Sequence, residues 1–118
     1  MTLITAAQRR QLLTNGQATA AATLQDHSID HIPVVKLFTP VSNATWLLTE
    51  IDPEDPDRAF GLCDLGLGCP ELGYVSLLEL ASVRGRLGFL VERDRYFEAD
   101  RPLSAYAAEA RTESRIVT

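Results

Sequence analysis

Ala59-Phe60-Gly61-Leu62-Cys63-Asp64, followed after a glycine-rich loop by Glu71-Leu72-Gly73-Tyr74-Val75-Ser76-Leu77-Leu78-Glu79-Leu80, is the stretch that decides the fold. Its first part is a short apolar run that predicts a strand over 59–64, and Leu72 to Val75 predicts a short strand or extended lead-in. Ser76-Leu77-Leu78-Glu79 has the form of a capping box, in which the serine oxygen accepts a helix-end amide and the glutamate reaches back to the serine amide. Leu77, Leu80 and Ala81 continue as an apolar helical stripe. Gly85 then stands where a left-handed residue would close the helix, so a short helix is expected over 77–84. Strands that lead directly into a helix with one apolar face point to a sheet with helices packed on it, an α+β fold.

Upstream, Val34 to Thr39 and Thr45 to Ile51 are β-branched and aromatic runs separated by Pro40-Val41-Ser42-Asn43-Ala44, which reads as an antiparallel hairpin. Alternation assigns Trp46, Leu48 and Glu50 to one face and Leu47, Thr49 and Ile51 to the other. Asp52-Pro53-Glu54-Asp55-Pro56-Asp57 is read as a solvated loop, because each proline lacks a ladder donor and the acids need water. Residues 1–31 form a helical segment and linker, with an N-cap at Thr5 and a break at Asn15-Gly16 giving two short helices or one broken helix. Downstream, Phe89 to Arg93 supplies one more strand or irregular chain, and Arg101-Pro102-Leu103-Ser104 opens a last short helix. Residues 107–118 form a tail that frays from Arg111. The expected architecture is a single domain, residues 1–118, with a small, mainly antiparallel sheet of three to five strands and a family core over 32–106.

The chain has 118 residues and a formal net charge of −5, with 46% hydrophobic and 23% charged residues, ordinary globular usage that is neither disordered nor membrane-spanning. No apolar run reaches the roughly 20 residues of a spanning helix, and no signal peptide is read, so a cytoplasmic protein is expected with no membrane partner. Cys63 and Cys69 flank a short loop at a spacing that matches neither a redox pair nor a structural zinc site; they are read as reduced, with at least one buried. Residues 50 to 72 hold seven acids against the single base Arg58. The counterweight is Arg84, Arg86, Arg93, Arg95 and Arg101, and ten of the eleven basic residues are arginine.

The acidic loop is the obvious place for a hard cation, but it lacks the turn glycine and closing glutamate of an EF-hand. His27 and His31 stand four apart without the glutamate of a helical zinc motif, and Pro33 ends any helix there. No metal is expected. The glycines fit neither the dinucleotide fingerprint nor a phosphate-binding loop, and no cofactor is expected. Glu71, Arg84, Glu92, Arg93 and Asp94 are the candidate catalytic set, an arginine to hold an anion beside a carboxylate base. Their ordinary reading is an ion-pair network. Trp46, Tyr74, Tyr96 and Phe97 would make a stacking platform for bases or for a protein partner, or else fill the core with Phe38, Phe60 and Phe89.

Phe60-Gly61-Leu62-Cys63, Glu71 to Leu80, Val83-Arg84-Gly85 and Val91-Glu92-Arg93-Asp94, with Phe38-Thr39-Pro40 and Thr45-Trp46, together resemble a family of short bacterial proteins, domain of unknown function 2958. The resemblance runs from about Val35 to Tyr106. It implies an accessory protein of a plasmid or conjugative element, encoded near genes for transfer and for evasion of host defence, and it assigns no role to any residue. The preferred expectation is therefore a non-catalytic protein-binding module that countered host defence or regulated transfer. Its partner surface would be formed by Glu50, Asp52, Glu54, Asp55 and Asp57 with Trp46 and Tyr74, acids that attract a basic protein surface. The alternatives are a small enzyme or ligand binder using the Glu/Arg/Asp set, and a nucleic-acid-binding protein using the arginines of 84–101.

Overall fold

The computed structural model describes residues 3–82 and 90–118. Helix α1 (Ala6–Thr23) is followed by strands β1 (Val35–Phe38), β2 (Thr45–Asp52), β3 (Asp55–Asp64) and β4 (Glu71–Ser76), helix α2 (Leu77–Ala81), strand β5 (Glu92–Arg93) and helix α3 (Leu103–Glu113). The strands form one open sheet in the order β4-β3-β2-β1-β5, and every neighbouring pair is antiparallel. This is the expected α+β architecture, with five strands.

The sheet is packed on both faces. On one, Leu12 of α1 and Leu77 and Leu80 of α2 close over Val35, Leu37, Trp46, Leu48, Ile51 and Ala59. On the other, Leu103, Tyr106, Ala107 and Ala110 of α3 cover Leu47 and Leu62. Trp46 is 1 % exposed and belongs to the first core, so it is no stacking platform. Phe38 and Phe60 are half-buried rather than central to the core.

Helix α1 does not break at Asn15-Gly16. It opens with a capping box, the Gln8 amide donating to Thr5 Oγ1 at 3.0 Å and the Thr5 amide to Gln8 Oε1 at 2.9 Å, and runs unbroken to Thr23. Gly16 is where the helix touches the sheet: a Cβ there would lie 1.8 Å from the carbonyl oxygen of Ile51. Beside it, Asn15 Nδ2 donates to the Thr49 carbonyl at 2.9 Å. Tertiary packing thus outweighs the roughly 1 kcal/mol by which a helical glycine disfavours the element.

Simple alternation also fails in β2. Leu48 pairs with Gly61 and Glu50 with Phe60, so Thr49 is an extra residue in the ladder, and such a bulge reverses which side the following residues face. Ile51 consequently joins Trp46 and Leu48 in the first core, while Glu50 leaves that face. The acidic segment is not a loop between strands. β2 continues to Asp52, turns at Pro53-Glu54, and β3 starts at Asp55. Ile51 pairs with Ala59 and Asp52 with Asp55, leaving Pro56, Asp57 and Arg58 outside this ladder, so Pro56 has no donor to supply there.

At the end of β4 the serine half of the capping box is in place: the Glu79 amide donates to Ser76 Oγ at 3.1 Å. A second cap comes from β3, where Asp57 accepts the Ser76 hydroxyl at 2.6 Å and the Leu78 amide at 2.7 Å. Arg84, Gly85 and Phe89, expected in the helix end and the last strand, lie outside the described residues. Helix α3 has no side-chain cap from its own N-cap residue, Pro102. Asp30 in the linker accepts from the Ser104 amide at 3.1 Å and from the Ser104 hydroxyl, and the His31 carbonyl accepts the Leu103 amide at 2.9 Å. The tail does not fray from Arg111. Helix α3 continues to Glu113, a left-handed Ser114 turns the chain, and Ile116 packs into the second core. The Ile116 amide donates to the buried Asp64 carboxylate at 3.0 Å. Among the described residues no helix is long and apolar enough to cross a membrane.

Candidate functional site

Strand β4 ends the sheet, so its inner edge is bonded to β3 and no described strand pairs with its outer edge. The register Leu62↔Leu72, Gly61↔Gly73, Phe60↔Tyr74 runs without a shift. Because Leu62 faces α3, Leu72 and Tyr74 point to that side as well. They extend beyond the helix's cover and are 49 % and 52 % exposed. Tyr74 is held upright by its neighbours: the Phe60 ring meets it edge-on at 5.1 Å, and the Arg58 guanidinium lies 3.9 Å from its centroid. Leu65 and Leu67 in the preceding loop are 51 % and 81 % exposed and extend the apolar margin. On the opposite face Glu71 is exposed, Val75 is packed against the first core, and between them Gly73 leaves open space.

Acids border this edge at both ends, Glu71 at the start of β4 and Glu54 and Asp55 at the β2–β3 turn, all exposed. Each aspartate of the turn also holds the amide two residues on, Asp52 accepting that of Glu54 at 2.9 Å and Asp55 that of Asp57 at 3.1 Å. Asp57 is held below its usual range by the Ser76 hydroxyl first and the Leu78 amide second, so it serves as a structural cap. Glu50 is raised above the ordinary carboxylate range by burial, against the bond it accepts from Thr19 Oγ1 at 3.1 Å. The same Thr19 oxygen lies 2.9 Å from His31 Nε2. Cys63 and Cys69 are free thiols. Cys63 is half-buried, and burial followed by the charge of Glu71 pushes it up to about 11; Cys69 is exposed.

The candidate catalytic set is not assembled. Glu71 lies on β4 and Glu92 and Arg93 on β5, at opposite margins of the sheet, and four steps of about 4.8 Å between strands separate them by roughly 19 Å. Arg84 lies outside the described residues. Arg93 Nη1 donates to the Leu3 carbonyl at 2.9 Å, and Asp94 is 3.5 Å from Lys36 Nζ, so both fasten chain segments together. A cleft of about 560 Å³ is lined by Lys36, Thr45, Asp64, Asp94 and Arg115 among others. Its buried carboxylate, Asp64, is engaged at both oxygens by backbone, Oδ1 accepting the Gly66 amide at 2.8 Å and Oδ2 the Ile116 amide at 3.0 Å, so it ties the β3 loop to the C-terminal tail. Among the described residues no three His, Cys, Asp or Glu side chains gather as a metal site.

A family model described as Protein of unknown function (DUF2958) matches residues 3–117. The chain belongs to that family. The match takes in α1 and the docked tail, beyond the stretch from Val35 to Tyr106 that carries the sequence resemblance. No curated protein and no solved structure matches the chain. Of the residues proposed from sequence for a partner surface, this DUF2958 chain keeps Glu54, Asp55 and Tyr74 exposed, half-buries Glu50, Asp52 and Asp57, and buries Trp46. Leu67, Leu72 and Gly73 were not singled out. The signal present in the DUF2958 sequence was the apolar-glycine-aromatic alternation of Leu72-Gly73-Tyr74; what made it a surface is the place of β4 in the sheet, which no local pattern encodes.

Proposed function

We propose that this DUF2958 protein is a non-catalytic protein-binding module that takes an extended segment of its partner onto the outer edge of β4. The observation that carries the reading is a six-residue edge strand, unpaired on its outer side among the described residues, with Leu72 and Tyr74 exposed along one face. Unpaired N–H and C=O groups in a row are a template for another strand, and alternate side chains then supply specificity. Exposed Glu54, Asp55 and Glu71 favour a basic partner and raise its association rate. The plasmid and conjugative-element setting implied by the sequence resemblance directs the search to proteins of host defence or of transfer. Of the charged groups proposed for catalysis, Arg93 and Asp94 fasten chain segments together and Glu71 lies at the opposite margin of the sheet, which favours the binding reading.

The test is affinity capture from the host with mass spectrometric identification, followed by titration of the identified partner against purified variants. Leu72→Lys combined with Tyr74→Lys is expected to weaken that partner at least about tenfold while the melting temperature stays close to wild type, since both side chains are exposed. Glu54→Gln with Asp55→Asn is expected to slow association, with the difference fading at high salt. An edge variant that binds the same protein undiminished would overturn the reading.

A further inference from the structure

Four of the five described glycines have a reason inside the chain. A Cβ at Gly16 would lie 1.8 Å from the Ile51 carbonyl oxygen and one at Gly61 would lie 2.0 Å from that of Leu47. Gly66 and Gly68 adopt φ of +80° and +85°, which side chains disfavour. Gly73 has neither reason: its φ is not positive, and nothing among the described residues lies within 4 Å of where its Cβ would be. A glycine inside a strand weakens it, and it marks a bulge, a tight bend, or the close approach of a ligand or another backbone. The unshifted register from Leu62↔Leu72 through Phe60↔Tyr74 excludes a bulge, and an open sheet has no barrel corner that a bend would turn. What remains is approach from outside, along the edge of the sheet that is open.

Resting on the docking reading of β4, we infer that the partner strand seats a large aromatic side chain over Gly73, on the face of the sheet that α1 and α2 cover. A ring reaching across from an adjacent strand fills the space that an edge glycine leaves. Val75 packs one side of that space and the exposed Glu71 stands at the other. Residues two apart share a face, so the partner residue opposite Glu71 is a lysine or arginine and the one opposite Gly73 is aromatic, with one residue between them. The alternate partner positions face Leu72 and Tyr74 and are apolar. The partner is therefore a protein segment in which a cation and an aromatic residue, spaced by two, alternate with aliphatic residues.

The probe is a pair of short synthetic peptides that alternate valine on one face with arginine and either phenylalanine or alanine on the other, titrated against the full chain by amide chemical shifts. The phenylalanine peptide is expected to shift the amides of residues 71–76 and to bind about fivefold more tightly than the alanine peptide. In Gly73→Thr, whose Cβ would meet nothing within 4 Å and whose branch occupies the notch, that preference is expected to fall to near unity while the fold is kept. Equal binding of the two peptides by the wild type, or an unchanged preference in Gly73→Thr, would overturn the aromatic seat and leave the docking edge standing. Failure of both peptides to shift residues 71–76 would overturn the docking edge itself. Concentration-dependent pairing of the free chain through the same amides would place a second copy there and overturn the partner class.

Discussion

At one margin of the sheet β5 is two residues long, Asp94 pairs with Lys36 at 3.5 Å, and Arg93 is bonded to the Leu3 carbonyl. At the other, β4 is six residues long, carries no proline or lysine, shows Leu72 and Tyr74 to solvent, and has a glycine at its middle. Short strands, charges and tethered neighbours are devices that keep a sheet edge from pairing with foreign chains. All three are present at β5, whereas β4 has only the charge of Glu71 at its start. The difference teaches that a pairable edge is a local property: the same sheet, with the same helices on its faces, offers a short, charged strand on one side and a longer, apolar one on the other.

Gly61 and Gly73, cross-strand neighbours in β3 and β4, give the largest expected effect. Gly61→Ala forces a methyl against a backbone carbonyl and should destabilise by about 3 kcal/mol. Gly73→Ala should instead stabilise by about 0.5 kcal/mol, because it relieves only the conformational freedom of glycine. Urea denaturation of the two variants checks this, and equal losses would show that β4 is as tightly packed as the strand beside it.

Next in size is the anchor that holds β4 at its inner end. Ser76→Ala should destabilise by about 1 kcal/mol at neutral pH through the lost helix cap. It also removes the first cause of the depressed Asp57 ionisation. A carboxylate whose folded value lies below its unfolded value of about 3.9 stabilises the protein above that pH, and the contribution is lost as pH falls through the folded value. The gap between Ser76→Ala and wild type should therefore shrink between pH 5 and pH 2.5. A gap independent of pH would detach Asp57 from the anchor.

The smallest effect belongs to Glu50, under the interior of the sheet rather than at either margin. Burial raises its ionisation in the folded state, so the contribution has the opposite sign: stability is lost as pH rises through the folded value. Glu50→Gln keeps an acceptor for Thr19 and should gain about 0.5 kcal/mol at pH 7 after screening by solvent, and nothing below about pH 4. Thermal unfolding at the two pH values reads it, and peptide binding at β4 should be unchanged.

The hairpin of β1 and β2, the third strand and the cap at Ser76 were legible because alternation, proline placement and the Ser-x-x-Glu spacing are local signals. The break at Asn15-Gly16 was misread for the reason that makes local signals fail: a glycine that looks like a stop is the point of contact with the Ile51 carbonyl, a residue 35 positions away. Ile51 was put on the wrong face because the Thr49 bulge leaves no mark in composition. Trp46, proposed for a partner surface, lies in a central strand packed on both faces. The charged set Glu71, Glu92, Arg93 and Asp94 looked like one cluster because only strand order reveals that its members sit at opposite margins. The acidic stretch was legible as charge and illegible as structure, since which carboxylates are committed to caps and turns depends on Ser76 and Asp57 meeting across two strands.

The cap that Asp30 places on α3 has a consequence in time. Ser104 and Asp30 are 74 residues apart, so the helix cannot be finished from its own segment, and a chain-closure entropy that its neighbours must offset precedes the first capped turn. On a ribosome the capping carboxylate emerges long before the amides it will receive. On refolding from denaturant, amide protection in α3 should consequently follow that of α1, whose cap lies three residues from its partner, and one face of the sheet is clothed before the other.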